Sequence, residues 1–551
     1  MTTASPYQSE IRAEAARRRS IAVISHPDAG KSTLTEALAL HTRAIETAGA
    51  VHGKGNRAGV VSDWMEMERK RGISITSAAL QLGYGGTVIN LLDTPGHADF
   101  SEDTYRVLTA VDAAVMLLDA AKGLEPQTLK LFEVCRRRGV PVITLVNKWD
   151  RPGQEALELC DELEQRIDLQ PTPLTWPVGE AGRFLGLLDV AGGDVNTYER
   201  TPGGAALAVE GHLAPSEARE RFTDDYAHAV DSAGLLDTVD HESFLAGRTT
   251  PLLFGAALAN IGVRQLLDTI VDLAPAPGPR PDLRGAGGEG AVVSGADATT
   301  EVLRTAPTRP VEAPFSGFVF KMQAGMDPNH RDHVAFVRVC SGRFERGMVA
   351  THERTGRPFA TKYALQVFGR DRETVEEAFP GDVVGLVNAS SLAVGDSLYE
   401  PGGPPVRYPP MPAFAPEHFA AARAKDPSKS KQFRRGIAQL QQEGVVQVLV
   451  NEDRGDANPI LAAVGPLQFE VASFRMEHEF SAPMALDHLD LSVARLVDDE
   501  DVPAVRRTAG TEIARRADGV LLGLFRDVWR LRSLQREHGI ELRPLVAGGD
   551  A

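Results

Sequence analysis

Five short apolar runs separated by helix-like stretches do most to narrow what this chain of 551 residues can fold into. They occupy residues 21–24, 88–92, 114–118, 142–146 and 251–254. Runs of this length, apolar almost throughout, are the pattern of strands buried on both faces. Strands of that kind joined through helices form a parallel sheet with helices on either side. The first 279 residues are therefore expected to form one α/β domain, with residues 251–254 as its last strand.

The loops at the ends of these runs carry the chemistry. The first strand leads into Ser25-His26-Pro27-Asp28-Ala29-Gly30-Lys31-Ser32-Thr33 and then a helix. This is a phosphate loop with Ser25 in place of its usual first glycine. Gly30 lets backbone amides approach phosphates at a helix N-terminus, Lys31 neutralises β/γ charge, and the Ser32 hydroxyl is placed to ligate Mg²⁺. An ordinary strand–turn–helix with a capping serine is the plain alternative. The second run ends in Asp93-Thr94-Pro95-Gly96-His97. There Asp93 can hold Mg²⁺ through water and Gly96 can offer an amide to a γ-phosphate. The fourth run ends in Asn147-Lys148-Trp149-Asp150. The Asp150 carboxylate can accept from both N1–H and the exocyclic amine of guanine, a donor pair that adenine lacks. Asn147 would brace the loop and the Lys148 stem would cover the base. Ala256-Ala257-Leu258, after the last strand, would close the site with an amide near Ala257 aimed at guanine O6. Three such loops in order, each at a strand end, leave little room for coincidence.

Beyond residue 279 the pattern changes. Residues 280–309 are Gly-rich, bounded by prolines, and expected to be a flexible linker. Residues 310–400 read as short strands and turns, a β-barrel domain. Residues 401–551 mix helices (429–443, 466–476 and most of 505–537) with a strand at 445–450, an α+β C-terminal domain. Residues 155–249 exceed what one helix and one strand need and read as an inserted subdomain. It is either a passive elaboration or a contact surface for a partner protein.

A formal charge of −16 argues against coating nucleic acid by bulk electrostatics, but not against local docking on RNA. Cys135, Cys160 and Cys340 are scattered and give neither a disulfide framework nor a zinc site, which points to the cytoplasm. No apolar run is long enough to span a membrane. Lys425, Lys429, Lys431, Arg434 and Arg435 form a solvated helix face or an RNA contact; Arg17-Arg18-Arg19 reads as a frayed helix end or a similar contact. His330 and His333, beside Asp327 and Asp332, read as turn chemistry ahead of a metal site.

Taken together, the loops resemble those of the translational GTPase family. The resemblance implies GTP/GDP and Mg²⁺ as ligands, and His97 as the residue that positions the attacking water once the ribosome reorients it. It also implies a first switch at Arg71-Gly72-Ile73-Ser74-Ile75-Thr76, in which Ser74 would ligate Mg²⁺ with Thr76 as fallback. Asp28 would help hold a monovalent cation, and Pro27 and Ile73 would form an apolar gate before His97. Within the family the chain looks most like the termination branch. The spelling Ser-His-Pro-Asp-Ala-Gly-Lys, residues 62–68 and 326–332, Lys425-Asp426-Pro427 and Gly465-Pro466-Leu467-Gln468-Phe469 carry that likeness. Only about 150 residues come after the barrel, room for one domain where a translocase-type factor has more. The branch implies a ribosome-dependent GTPase that drives class I, codon-reading release factors off the ribosome after peptide release. Its partners would be ribosomal RNA and proteins and those factors, with no DNA or membrane, and it would act as a monomer. The alternatives are an elongation or ribosome-protection GTPase, an ATP-dependent kinase or transferase, and a non-hydrolysing binding module.

Overall fold

In the computed structural model the apolar runs come together in one seven-stranded sheet. The residues described are 5–45, 78–95, 99, 101–199, 207–286, 305–324, 333–368, 371–409, 411, 415–451, 454–455 and 458–545. The first strands are β1 (Arg18–Ser25), β2 (Ala78–Tyr84), β3 (Thr87–Asp93), β4 (Ala113–Asp119), β5 (Val142–Asn147) and β6 (Gln170–Pro173). The chain then makes an excursion through β7 (Thr175–Val178), β8 (Gly186–Asp189), β9 (Val195–Glu199) and β10 (Val209–Leu213), and returns in β11 (Thr249–Phe254). The spatial order is β2-β3-β1-β4-β5-β11-β6.

Side-chain alternation along these strands feeds two cores. Ile21, Val23, Val115, Leu117, Ile143 and Leu145 face helices Lys31–His41 and Val263–Leu273. Ala22, Ile24, Met116, Leu118 and Val146 face helices Ser101–Thr109, Pro126–Arg138 and Ala156–Ile167. Each such leucine or isoleucine contributes about 1.5–3 kcal/mol by leaving water, which is why both faces must be covered.

Several expectations are corrected. The sheet is not wholly parallel, since β2 runs antiparallel to β3. Gly85 and Gly86, both at positive φ (56° and 78°), close a two-residue hairpin that only such residues allow. As expected, β11 is the last strand of this sheet along the chain, and it lies between β5 and β6, with β6 at the edge. Helix Ala156–Ile167 and β6 thus belong to the main sheet, and the excursion proper begins at β7. Its four-stranded antiparallel sheet, in the order β10-β9-β8-β7, anchors through Trp176, whose ring meets Phe254 edge-on at 5.2 Å.

The expected linker has ordered ends. Arg280–Pro281 pairs with Thr308–Arg309, and the Arg280 guanidinium donates to Thr109 O (2.8 Å), Val111 O (3.2 Å) and Asp112 (3.1 Å). The carbonyls at the end of helix Ser101–Thr109 and a buried carboxylate need those donors. Residues 287–304 lie outside the described residues.

Next comes an eight-stranded antiparallel sheet with a separate two-stranded ribbon. On its strand His333–Ser341, Ala335, Val337 and Val339 face the barrel core, while Phe336, Arg338 and Cys340 face the first domain. Arg338 meets Asp112 there at 2.6 Å. Arg18 reaches Asp382 at 2.8 Å and is buried, so the middle of the Arg17-Arg18-Arg19 run is an interdomain anchor rather than a frayed helix end.

The C-terminal domain is a seven-stranded antiparallel sheet carrying helices Ser430–Glu443 and Leu467–His478. Its tail is less helical than the sequence suggests. Thr511–Arg516 and Leu521–Phe525 form a hairpin between two helices, because Ala514, Leu522 and Leu524 alternate into the core and Gly519 turns at φ 89°.

Candidate nucleotide-binding site

Strand register decides where the loops meet. Val23 lies opposite Asp93, Ser25 opposite Leu117, Asp119 opposite Asn147, and Val146 opposite Phe254. The C-terminal ends of five strands are therefore level, and their loops share one crevice. This is the place where open α/β sheets bind ligands.

The loop after β1 turns through Asp28 (φ 66°) and Gly30 (φ 100°) into helix Lys31–His41. Gly30 is required twice over: its backbone is left-handed, and a Cβ there would sit 2.5 Å from Asn147 Nδ2. The helix has no side-chain cap, so its N-terminal amides face the crevice as anion donors. Ser32 and Thr33 begin that helix half-buried, Ala29 is buried, and Pro27 and Asp28 are exposed.

Hydrogen bonds knit the loops together. The Lys31 ammonium, buried, pairs with the buried Asp93 carboxylate. Thr94 Oγ1 donates to Val23 O at 2.6 Å and Thr104 Oγ1 to Pro95 O at 3.2 Å, which holds Thr94 and Pro95 against β1 and helix Ser101–Thr109. Gly96, His97, Ser74 and Thr76 lie outside the described residues. Asn147 is the keystone: its Nδ2 donates to Ala29 O at 2.8 Å, and its Oδ1 accepts the Ala257 N–H at 2.8 Å. Lys148, at φ 66°, reaches Asp28 O and Asp119 Oδ2, the latter at 2.7 Å. Trp149 is buried edge-on against Phe254, with ring centroids 4.9 Å apart, so the loop hangs from the core by its third residue. Asp150 is half-buried, and its carboxylate makes no hydrogen bond or ion pair with the described residues. Ala256 and Ala257 are buried, whereas the Leu258 side chain is half-exposed.

Asp119 was not singled out in the sequence. Its signal was position alone, a carboxylate ending the strand that carries no recognised loop motif. Burial opposes its ionisation, but the Lys148 ammonium and the Ala121 N–H override that and hold it below the usual carboxylate range. His26 is buried, with its Nε2 3.5 Å from Glu125 and no hydrogen bond at either ring nitrogen. Burial lowers its pKa from the ordinary imidazole value, more than Glu125 raises it, so the ring is neutral at pH 7.

The donor set suits Mg²⁺. Ser32 and Asp93 offer hard oxygens, and among the described residues no group of three or more His, Cys, Asp or Glu could cage an ion alone. Mg²⁺ normally takes one or two protein oxygens and completes its shell with waters and substrate phosphates.

Fold and loops together define a translational GTPase. Residues 16–276 match the elongation factor Tu GTP-binding domain family, and residues 314–401 match elongation factor G domain 2. Residues 408–535 match the class II release factor RF3 C-terminal domain. The chain is 45% identical to peptide chain release factor 3 of Gloeobacter violaceus, covering 96% of this chain and 97% of that protein. It is 45% identical to the factor of the same name from Synechococcus elongatus (98% and 96% covered), and 43% identical to that of Trichodesmium erythraeum (98% of each). The chain belongs to the peptide chain release factor 3 family, GTPases that recycle class I release factors in translation termination. The elongation-type reading therefore falls, because the last domain is that of a release factor. The crystal structure of ttk003000868 from Thermus thermophilus has the same fold, with a TM-score of 0.67 at 24% identity over 86% of this chain and 67% of that one.

Proposed function

We propose that the crevice holds guanine nucleotide with Mg²⁺, and that the named loops divide the work of binding and hydrolysis. The amides of residues 25–33 cradle the phosphates, and Lys31 transfers from Asp93 to the β/γ oxygens. Asp150 reads N1–H and the exocyclic amine of guanine, and the Lys148 stem lies over the base. Since the Ala257 N–H is committed to Asn147, the next amide in the turn, Leu258, is the donor for O6. Ser32, Ser74 and, through water, Asp93 would hold Mg²⁺, which when bound offsets charge on the transferring phosphoryl group. His97 aligns water for in-line attack only when the ribosome orients it, so turnover waits for the right partner.

The reading extends to a cytoplasmic monomer organised as domains 1–279, 310–400 and 401–551. Docking on ribosomal RNA uses Lys425, Lys431, Arg434 and Arg435. All four are exposed and make no ion pair among the described residues. No helix among the described residues is long and apolar enough to cross a membrane.

One observation carries the proposal: Asn147 joins the phosphate loop and the closing loop by two 2.8 Å bonds, so both grip one ligand. The test is GTP turnover with and without ribosomes bearing a class I release factor, with ATP as competitor. Strong stimulation and no competition are expected. Equal competition by ATP would remove the guanine assignment.

A further inference from the structure

Helix Val528–His538 closes the C-terminal domain beside strands Val493–Leu496 and Leu521–Phe525. Leu531 and Leu534 are buried and Val528 is half-buried, three residues apart, so that one stripe of the helix faces the core. Trp529 follows Val528 by one residue, about 100° further round the helix, and so points away from that stripe. Its side chain is 63% exposed, whereas Trp149 and Trp176 are buried. A single apolar side chain in water is ordinary. The charges around this one are not.

Residues 502–545 carry nine arginines against five carboxylates, in a chain whose formal charge is −16. Most of the carboxylates are already engaged. Glu512 pairs with Arg454 and Asp518 with Arg516, each at 2.6 Å. Asp527 caps the helix by accepting the Arg530 N–H at 2.7 Å, and Glu537 accepts from the Ser533 hydroxyl at 3.1 Å. Arg530, Arg532 and Arg536 make no ion pair among the described residues, and the last two are exposed. The Arg530 guanidinium lies over the Trp529 ring, 5.4 Å from its centroid, which covers one face of the indole and leaves the other to solvent. Arg532 and Arg536 follow Trp529 by three and seven residues, on the same side of the helix and within roughly 10 Å along its axis.

We propose that Trp529, Arg530, Arg532 and Arg536 form a binding site for single-stranded RNA. An unstacked base lies on the open face of the indole, and the guanidinium groups hold the adjoining phosphates. Every base has a π face, so such stacking tolerates sequence, while the phosphates supply the charge that the arginines lack. A duplex keeps its bases stacked on one another and offers the indole no face. An acidic protein surface would satisfy the guanidinium groups but leave the indole without a planar partner. Helix Ser430–Glu443, which carries Lys431, Arg434 and Arg435, packs in a different core of the same domain, so the two basic faces are separate. The Trp529 site needs neither the nucleotide reading nor ribosomal docking through those residues, and a free oligonucleotide tests it apart from both.

The test titrates the full-length chain with a single-stranded RNA of about ten nucleotides, within the usual span of such sites. Comparison probes are a strand of equal phosphate number without bases, an RNA duplex, and an acidic peptide of matched charge. Tryptophan fluorescence reports stacking, and anisotropy of a labelled probe reports affinity. The RNA should quench a signal that is missing in Trp529→Ala, and should bind about tenfold more tightly than the abasic strand. Trp529→Ala should bring RNA affinity down to the abasic level and leave abasic affinity unchanged, and Trp529→Phe should restore part of the loss. Arg532→Ala and Arg536→Ala should weaken both strands alike, each lowering the slope of log affinity against log salt by about 0.7. These side chains are exposed, so all variants should keep wild-type GDP affinity and circular dichroism. Failure of the RNA to bind, equal binding of the RNA and abasic strands, wild-type RNA affinity in Trp529→Ala, or quenching by the acidic peptide as strong as by RNA would each overturn the proposal.

Discussion

Replacing Asn147 by alanine should cost the protein most of its nucleotide affinity, although Asn147 need touch no nucleotide atom to cause that loss. The side chain is buried and satisfies two backbone groups of different loops, Ala29 C=O and Ala257 N–H, each at 2.8 Å. Alanine orphans both, at about 1–3 kcal/mol per buried group, or about 2–6 kcal/mol together. Water entering the opened crevice recovers part of this, so the lower half is expected. At 1.4 kcal/mol per tenfold, that is a dissociation constant for GDP raised roughly 30-fold to 10³-fold. Asn147→Asp separates hydrogen bonding from shape. It keeps the acceptor for Ala257 but turns an oxygen toward the Ala29 carbonyl, so it should bind no better than alanine despite being isosteric. Titration with a fluorescent GDP analogue measures both variants, with far-ultraviolet dichroism to show that the sheet is intact. Affinity within threefold of wild type in Asn147→Ala would refute the keystone argument.

Three further outcomes are expected. Asp150→Asn should shift preference from GTP toward xanthosine triphosphate, because the carboxamide pairs with the altered base edge; an unchanged preference would defeat the assignment. His97→Ala should bind GTP normally yet lose about 10²-fold or more of its ribosome-stimulated turnover, and full stimulated turnover would remove His97 from the mechanism. Asp112→Ala leaves the Arg338 and Arg280 guanidinium groups in the interdomain joint without their carboxylate, at a cost of about 3–5 kcal/mol in urea unfolding; a loss under about 1 kcal/mol would contradict this. Burial opposes the Asp112 charge, but Arg338 and Arg280 together hold its pKa below the usual value in the folded state. Its stabilisation is therefore present above the unfolded carboxylate pKa and should fade as pH falls through the lower, folded value.

The loops that line the crevice are legible in the sequence because the chemistry proposed for them is local. A phosphate loop needs Gly30, Lys31 and Ser32 in succession, and a guanine reader needs Asn147 and Asp150 three apart, so spacing along the chain carries the signal. Asp119 escaped notice because its partner, Lys148, is 29 residues away and no spacing rule joins them. Residues 511–525 read as helix in the sequence because their alternation is short and interrupted by arginines, and only burial against the C-terminal sheet decides their period. The pairing at the linker ends has no local signal either: in the sequence Arg280 looks like any solvated arginine, and its partners Asp112 and the Thr109 carbonyl are far away along the chain.

By itself, then, the order of residues determined that this chain builds a helix-covered sheet with the loops proposed to hold phosphate and base at its strand ends, because backbone and side-chain chemistry within a few residues suffices for that. Tertiary structure alone decided that the loops share one crevice, that β2 and β6 flank the sheet, and that Asp99 and Arg106 meet two helix ends more than 300 residues further on. The reason is physical: register, burial and long-range charge pairing depend on which surfaces the packed chain brings together, and no local pattern records that.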